Sequence, residues 1–211
     1  MLYNFLKRLI DIIGSIIGII IFSPLMVVTA LAIKLETPGP VFADTPPRVS
    51  KNGELFKMYK FRSMVVGAAE ILKQNPKLYK KYKDNSYKLP IDEDPRITKV
   101  GKWIRITSID ELPQFFNILG GNMSLVGPRA YYSFELEEQQ KKYPETIKYV
   151  DIIKQSKPGL TGVWQVSGRS AINFDKRVQI DAEYVTARSI LYDLWIILKT
   201  IPAILTGRGA V

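Results

Sequence analysis

Residues 12–33, IIGSIIGIIIFSPLMVVTALAI, carry no charged side chain and no recognisable polar face. As a helix these 22 residues reach roughly 33 Å, enough to cross a hydrocarbon core. A core helix normally keeps a polar stripe. A cleavable signal has a shorter apolar run followed by a small-residue cleavage site, whereas Lys34-Leu35-Glu36 follows here. The pattern therefore predicts a membrane anchor. Pro24 in mid-run removes a backbone donor and kinks a helix, and the Ser23 hydroxyl can bond back to a freed carbonyl. Lys7 and Arg8 precede the run, and Lys34, Arg48 and Lys51 follow it. By the positive-inside rule both ends favour the cytoplasmic face. A kinked helix that enters and leaves through one leaflet satisfies these observations, and a kinked transmembrane span is the alternative.

Beyond the anchor the rhythm changes. Thr37-Pro38-Gly39-Pro40 is a turn. Val41–Met64 reads as extended or hairpin structure, broken by a turn at Lys51-Asn52-Gly53-Glu54. Residues 65–83 form a basic amphipathic helix interrupted near Asn75-Pro76, and residues 84–98, with Pro90 and Pro95, read as a loop. Helices are predicted near 110–119, 131–142, 145–154 and 172–187. A last apolar stretch, Ile190–Leu205, places Leu191, Leu194, Trp195, Leu198 and Ile201 at helical spacing. It fits a packed core helix or a second interfacial one. The fold class is α+β, mostly helical, with one globular unit after the anchor.

Composition narrows the chemistry. The 211 residues carry a net charge of +10, without cysteine or histidine. Disulfides, thiolates, imidazole bases and histidine metal sites are all excluded, so a nucleophile or metal ligand comes from Asp, Glu, Lys, Tyr, Ser or Thr. The positive charge draws polyanions or an anionic leaflet. It is spread along the chain and no nucleic-acid motif accompanies it, so nucleic acid is not expected as a partner.

The densest chemistry lies in Ser108–Arg129, SIDELPQFFNILGGNMSLVGPR. Ser108-x-x-Glu111 has the spacing of a capping box. Pro113 opposes it, because a helix capped by Ser108 would lose a donor in its fifth position. With Asp110 as the cap, Pro113 falls third, where no donor is needed. Asp110 then starts the helix and Glu111 projects from its first turn. A helix cap and a catalytic acid pair remain the two readings. Carboxylates can attack phosphorus or hold magnesium, and Arg105 and Arg129 are able to supply bidentate forks to a phosphate.

Several segments together resemble the bacterial sugar transferases, the monotopic polyprenyl-phosphate phosphoglycosyl transferases. These are the Ser23-Pro24 anchor, Tyr59-Lys60-Phe61-Arg62-Ser63-Met64 and Asp94-Pro95-Arg96-Ile97-Thr98 with Gly101. They continue with Thr107–Pro113, Asn117, Met123–Arg129, Pro158–Gly162, Trp164 and Ser167-Gly168-Arg169. Pro46-Pro47 and Ala130 depart from the common pattern.

The resemblance implies a re-entrant membrane helix over 1–36 and a catalytic domain over 37–211 on the cytoplasmic face of the bacterial inner membrane, in the minimal form. It implies that Asp110 attacks a UDP-sugar, that UMP leaves, and that polyprenyl (undecaprenyl) phosphate takes the phosphosugar from the enzyme. This step opens exopolysaccharide or capsule synthesis. It further implies magnesium on Glu111, phosphate on Arg105, the nucleotide near Pro128 and Arg129, and phosphate or lipid headgroup near Lys60 and Arg62. Membrane lipid is a partner, and self-association through the apolar helices is open. An inactive, membrane-anchored scaffold is the competing reading.

Overall fold

A computed structural model describes residues 2–85, 87, 89–167 and 172–205. Gly168 and Arg169 of the last motif lie outside these residues. The first helix, α1 (Leu2–Glu36), runs for 35 residues through Pro24, and the Ser23 hydroxyl donates to the Ile20 carbonyl at 2.9 Å. Although residues 12–33 hold no charge, they are not featureless. Gly14, Ser15, Gly18 and Thr29 form a narrow face of small residues turned towards the protein. A Cβ on Gly14 would lie 2.5 Å from Leu125, and one on Gly18 would lie 2.7 Å from Phe115. The opposite face, with Phe5, Ile16, Ile20, Val27 and Leu31, is exposed.

Both ends of α1 are tied to one body. Arg8 donates to the Ile118 and Leu119 carbonyls. Lys7 meets Asp193 at 2.8 Å and the Val126 carbonyl at 2.9 Å. Lys7 and Arg8, the cations preceding the apolar run, are thus engaged within the protein. Asp11 is buried and accepts from the Ser124 hydroxyl and the Leu125 amide. At the far end, Glu36 accepts from the Lys99 and Val100 amides, capping α4 (Lys99–Ile106).

The expected hairpin forms between β1 (Arg48–Val49) and β2 (Leu55–Phe56), antiparallel. Its turn carries left-handed Asn52 and Gly53, residues that tolerate positive φ. The basic helix splits as predicted into α2 (Ala68–Gln74) and α3 (Pro76–Asp84). Asn75 caps α3 by accepting from the Leu78 amide, with Pro76 in its first turn.

One feature is absent from the sequence reading, a parallel pair between β3 (Ser124–Val126) and β4 (Gly159–Thr161). It joins the Gly-Pro-Arg segment to Pro158–Gly162. Their glycines allow the contact, since a Cβ on Gly159 would lie 2.1 Å from the Gly127 nitrogen. Helices α5 (Gln114–Leu119), α6 (Ser133–Lys142), α7 (Ile147–Ile153), α8 (Val163–Ser167), α9 (Phe174–Ala187) and α10 (Ile190–Leu205) complete the fold.

In α10 the spaced residues Leu191, Leu194, Trp195, Leu198 and Ile201 are the outward ones, and Leu198 is 66% exposed. The buried face is instead Ile196 and Asp193. The core-helix reading of that stripe is therefore corrected. The apolar spacing reported a real face, but one left uncovered by protein.

Candidate active site

The acid pair sits at the floor of a cleft of about 1170 Å³. Its local backbone differs from the expected helix. Ser108 adopts left-handed φ 58° and makes no side-chain cap. Ile109–Glu111 form a single 3₁₀ turn, and α5 begins only at Gln114, after Pro113. Pro113 was correctly read as incompatible with a Ser108 capping box. The helix start, however, moves beyond the acids instead of onto Asp110. A non-glycine residue at positive φ stores local strain, and here it turns the following two carboxylates towards the cleft.

Asp110 is 3% exposed, and its Oδ2 lies 2.8 Å from Lys60 Nζ. Glu111 is more open, with Oε1 3.6 Å from the same ammonium. Burial pulls the Lys60 ammonium down, but Asp110 and Glu111 outweigh it and hold the group above its ordinary range.

Lys60 is delivered by the chain around it. The Phe61 amide donates to the Asp110 carbonyl at 2.9 Å. Asn117 accepts from the Tyr59 amide and donates to the Lys57 carbonyl. Thus Tyr59–Met64, Asn117 and the acid pair, far apart in sequence, form one rigid unit. The 94–98 segment joins it: the Val65 amide donates to Arg96, and Met64 pairs with Ile97. Gly101 fits there because a Cβ would meet the Ser63 carbonyl at 1.9 Å.

Arg105 and Arg129 both line the cleft, and the Nε of each is buried without a hydrogen-bond partner. The Arg129 guanidinium lies 5.1 Å from the Trp164 ring. Burial draws it down, and Glu135, Tyr131 and Glu111 more than offset this. Pro128 is buried beside the cleft, and its carbonyl accepts from the Gly159 amide. Arg62 is engaged differently: it donates to the Thr37, Pro38 and Pro40 carbonyls, tying down the chain as it leaves α1.

Sequence reasoning gave no site role to Arg48. This buried residue lines the cleft, stacks 3.3 Å above the Tyr132 ring and donates to the Ala130 carbonyl, with Nε unpartnered. Burial, aided by Arg129, lowers its guanidinium, against Tyr132. Its sequence signals are its place among the cations after the anchor and its fit to the arginine of the family's Gln-x-Arg pattern, after Pro46-Pro47.

Among the described residues no three Asp or Glu side chains converge. Asp110 and Glu111, both paired with Lys60, offer the one or two carboxylates from which magnesium is commonly held, with substrate phosphates and water completing its coordination. The cleft also has an apolar wall, with Ile10, Ile13 and Phe22 of α1 and Ile197 and Ile201 of α10. An acid pair, two guanidinium groups each with a buried, unpartnered Nε, and an apolar wall meet in one cleft.

A family profile described as bacterial sugar transferase matches residues 2–207. The chain belongs to this family. It is 44% identical over 210 residues to the undecaprenyl-phosphate galactose phosphotransferase of Salmonella typhimurium, covering 98% of this chain and 42% of that protein. It is 38% identical over 208 residues to the exopolysaccharide production protein ExoY of Rhizobium meliloti, covering 97% and 87%. It is 37% identical over 202 residues to the UDP-glucose:undecaprenyl-phosphate glucose-1-phosphate transferase of Escherichia coli, covering 93% and 39%. The chain spans less than half the length of the Salmonella and E. coli relatives.

Proposed function

We propose that this protein moves a sugar-1-phosphate from a UDP-sugar to polyprenyl phosphate, releasing UMP and starting a polysaccharide. The observation that carries the reading is the buried Asp110 carboxylate, held by Lys60 at 2.8 Å and facing a cleft with both guanidinium and apolar walls. An Asp110 oxygen attacks the β-phosphorus of the UDP-sugar. The bond from that phosphorus to the bridging oxygen breaks, and the electron pair leaves with UMP. The phosphosugar is then joined to Asp110 through a carboxyl–phosphate bond. An oxygen of polyprenyl phosphate attacks the same phosphorus and returns Asp110 as a carboxylate. Arg105 and Arg129 hold the anionic oxygens, supplying the charge stabilisation this chemistry needs. Glu111, with Asp110 beside it, would hold magnesium, which supplies further charge neutralisation on the diphosphate when bound.

The same reading makes α1 a re-entrant helix and sets residues 37–211 on the cytoplasmic face of the inner membrane. Two observations support it. Both ends of α1 bear on the same folded body. The uncovered apolar faces of α1 and α10 give that body a surface suited to a bilayer interface. Cysteines placed at Tyr3 and Asn52 are expected to label from the same side of sealed vesicles; labelling from opposite sides makes α1 a span.

The reaction is tested by incubating purified protein with magnesium, a polyprenyl phosphate and a panel of UDP-sugars. UMP release is expected with one or more of them. UDP release instead would indicate ordinary glycosyl transfer, and no nucleotide release would favour the scaffold reading.

A further inference from the structure

Four consecutive residues carry the Arg129 guanidinium into the cleft, and each is pinned by a different partner. The Gly127 amide donates to the Thr161 carbonyl and the Pro128 carbonyl accepts from the Gly159 amide, both at 2.9 Å. The Ala130 carbonyl accepts from Arg48 at 3.0 Å. The Arg129 amide donates to Asp181 Oδ2 at 2.9 Å. Asp181, on α9, is the one acidic partner among these contacts. It is 0% exposed, lies outside the cleft lining, and keeps its Oδ1 without a hydrogen-bond partner.

We propose that Asp181 is the positioning residue of the Gly-Pro-Arg loop and, through Arg129, sets the affinity of the cleft for the diphosphate of the nucleotide sugar. The inference rests on the phosphoglycosyl-transfer reading and deepens it. The physical basis is the contrast between a charged and a neutral acceptor. An ionised carboxylate accepts from an amide about twice as strongly as a neutral group does. A buried, ionised Asp181 therefore fixes the backbone at Arg129, and a protonated one lets it relax.

The surroundings make this change accessible near neutral pH. Burial raises the Asp181 carboxyl to about 7, against the lowering effects of the Arg129 amide, Arg177, the Arg129 guanidinium and Tyr131. The groups facing it are Arg177 on its own helix and Arg129 and Tyr131 on the loop, with Glu135 of α6 acting on all three. The guanidinia stay charged, and burial pushes the Tyr131 phenol well above its ordinary value. The chain has no histidine, which removes the side chain that ordinarily titrates between pH 5 and 8. Asp181 is neutral below about pH 7 and ionised above it, so nucleotide-sugar binding tightens as pH rises.

The test is calorimetric binding of UDP-galactose, whose diphosphate diester does not titrate in this range, to the full chain carrying Asp110→Asn, which binds the nucleotide sugar without forming the phosphosugar adduct, with magnesium from pH 6 to 8.5. This parent, with Asp181 intact, is expected to bind roughly five- to tenfold more tightly at the upper end. Adding Asp181→Asn keeps an acceptor for the Arg129 amide but removes the group that ionises. The doubly substituted chain is expected to bind weakly and equally at every pH, with an unchanged melting profile. Binding by the parent without pH dependence overturns the inference even if the Asp181→Asn chain does not fold. A dependence that survives in Asp181→Asn overturns it too. Absence of binding at every pH, for this and the other UDP-sugars, removes the phosphoglycosyl reading and the inference with it.

Discussion

Arg62 and Arg96, and with them Arg105 and Arg129, all line the cleft. The two pairs share a residue type and differ in how their donors are used. Arg62 gives three of its N–H groups to backbone carbonyls. Arg96 forms a bidentate pair with Asp94 at 2.7 and 2.6 Å. Arg105 and Arg129 each keep a buried Nε unpartnered. A buried donor without a partner costs about 1–3 kcal/mol, and Arg48, which lines the same cleft, carries a third unpartnered Nε. On the proposed reading the saturated pair holds the walls together and the unsaturated pair meets the substrate.

The largest effect belongs to Asp110, which lines the same cleft. Asp110→Asn should abolish turnover, by at least about 10³-fold, because an amide oxygen is a poor nucleophile towards phosphorus. It should also remove the phosphosugar adduct seen by intact mass spectrometry in wild type given a UDP-sugar alone. An adduct that persists takes Asp110 out of the nucleophile role.

Next comes the unsaturated pair. Arg105→Lys or Arg129→Lys keeps the charge but loses the planar fork. Each is expected to lower kcat/KM by about 10²-fold while the melting temperature stays within a degree or two. A large fall in stability with normal kinetics would place that arginine with the structural pair.

This distinction was not legible in the sequence, where Arg62 and Arg129 both appear as basic residues in recognisable motifs. Which one has idle donors depends on the Thr37, Pro38 and Pro40 carbonyls, and those approach Arg62 only when the chain folds back after α1. The hairpin turn at Asn52-Gly53, the break at Asn75-Pro76 and the helices after residue 130 other than α8 were legible because each rests on local chemistry. Helix α4 was not, since Gly101 lowers its helical propensity and is explained only by its 1.9 Å Cβ approach to the Ser63 carbonyl. The start of α5 was misplaced for a similar reason. The positive φ of Ser108 is held by surrounding structure and has no glycine to announce it. Arg48 carried no site role in the sequence because its burial and its stack on Tyr132 join parts of the chain more than 80 residues apart.

The smallest catalytic effect is expected at Arg62. In Arg62→Lys a single ammonium replaces a fork that reaches the Thr37, Pro38 and Pro40 carbonyls at 2.9, 3.0 and 2.7 Å. It can serve one or two of them and leaves the others buried with weaker partners. The loss is about 2 kcal/mol, given that hydrogen bonds to charged groups contribute roughly 1.5–3 kcal/mol each. For a chain of this size that lowers the melting temperature by about 4–8 °C. The KM for a UDP-sugar, measured below the transition, should stay within about threefold of wild type, because the lost contacts are to backbone at the exit of α1. A KM that rises as far as in Arg129→Lys, with an unchanged melting curve, would show that Arg62 meets the substrate and would erase the division between the two pairs of arginines.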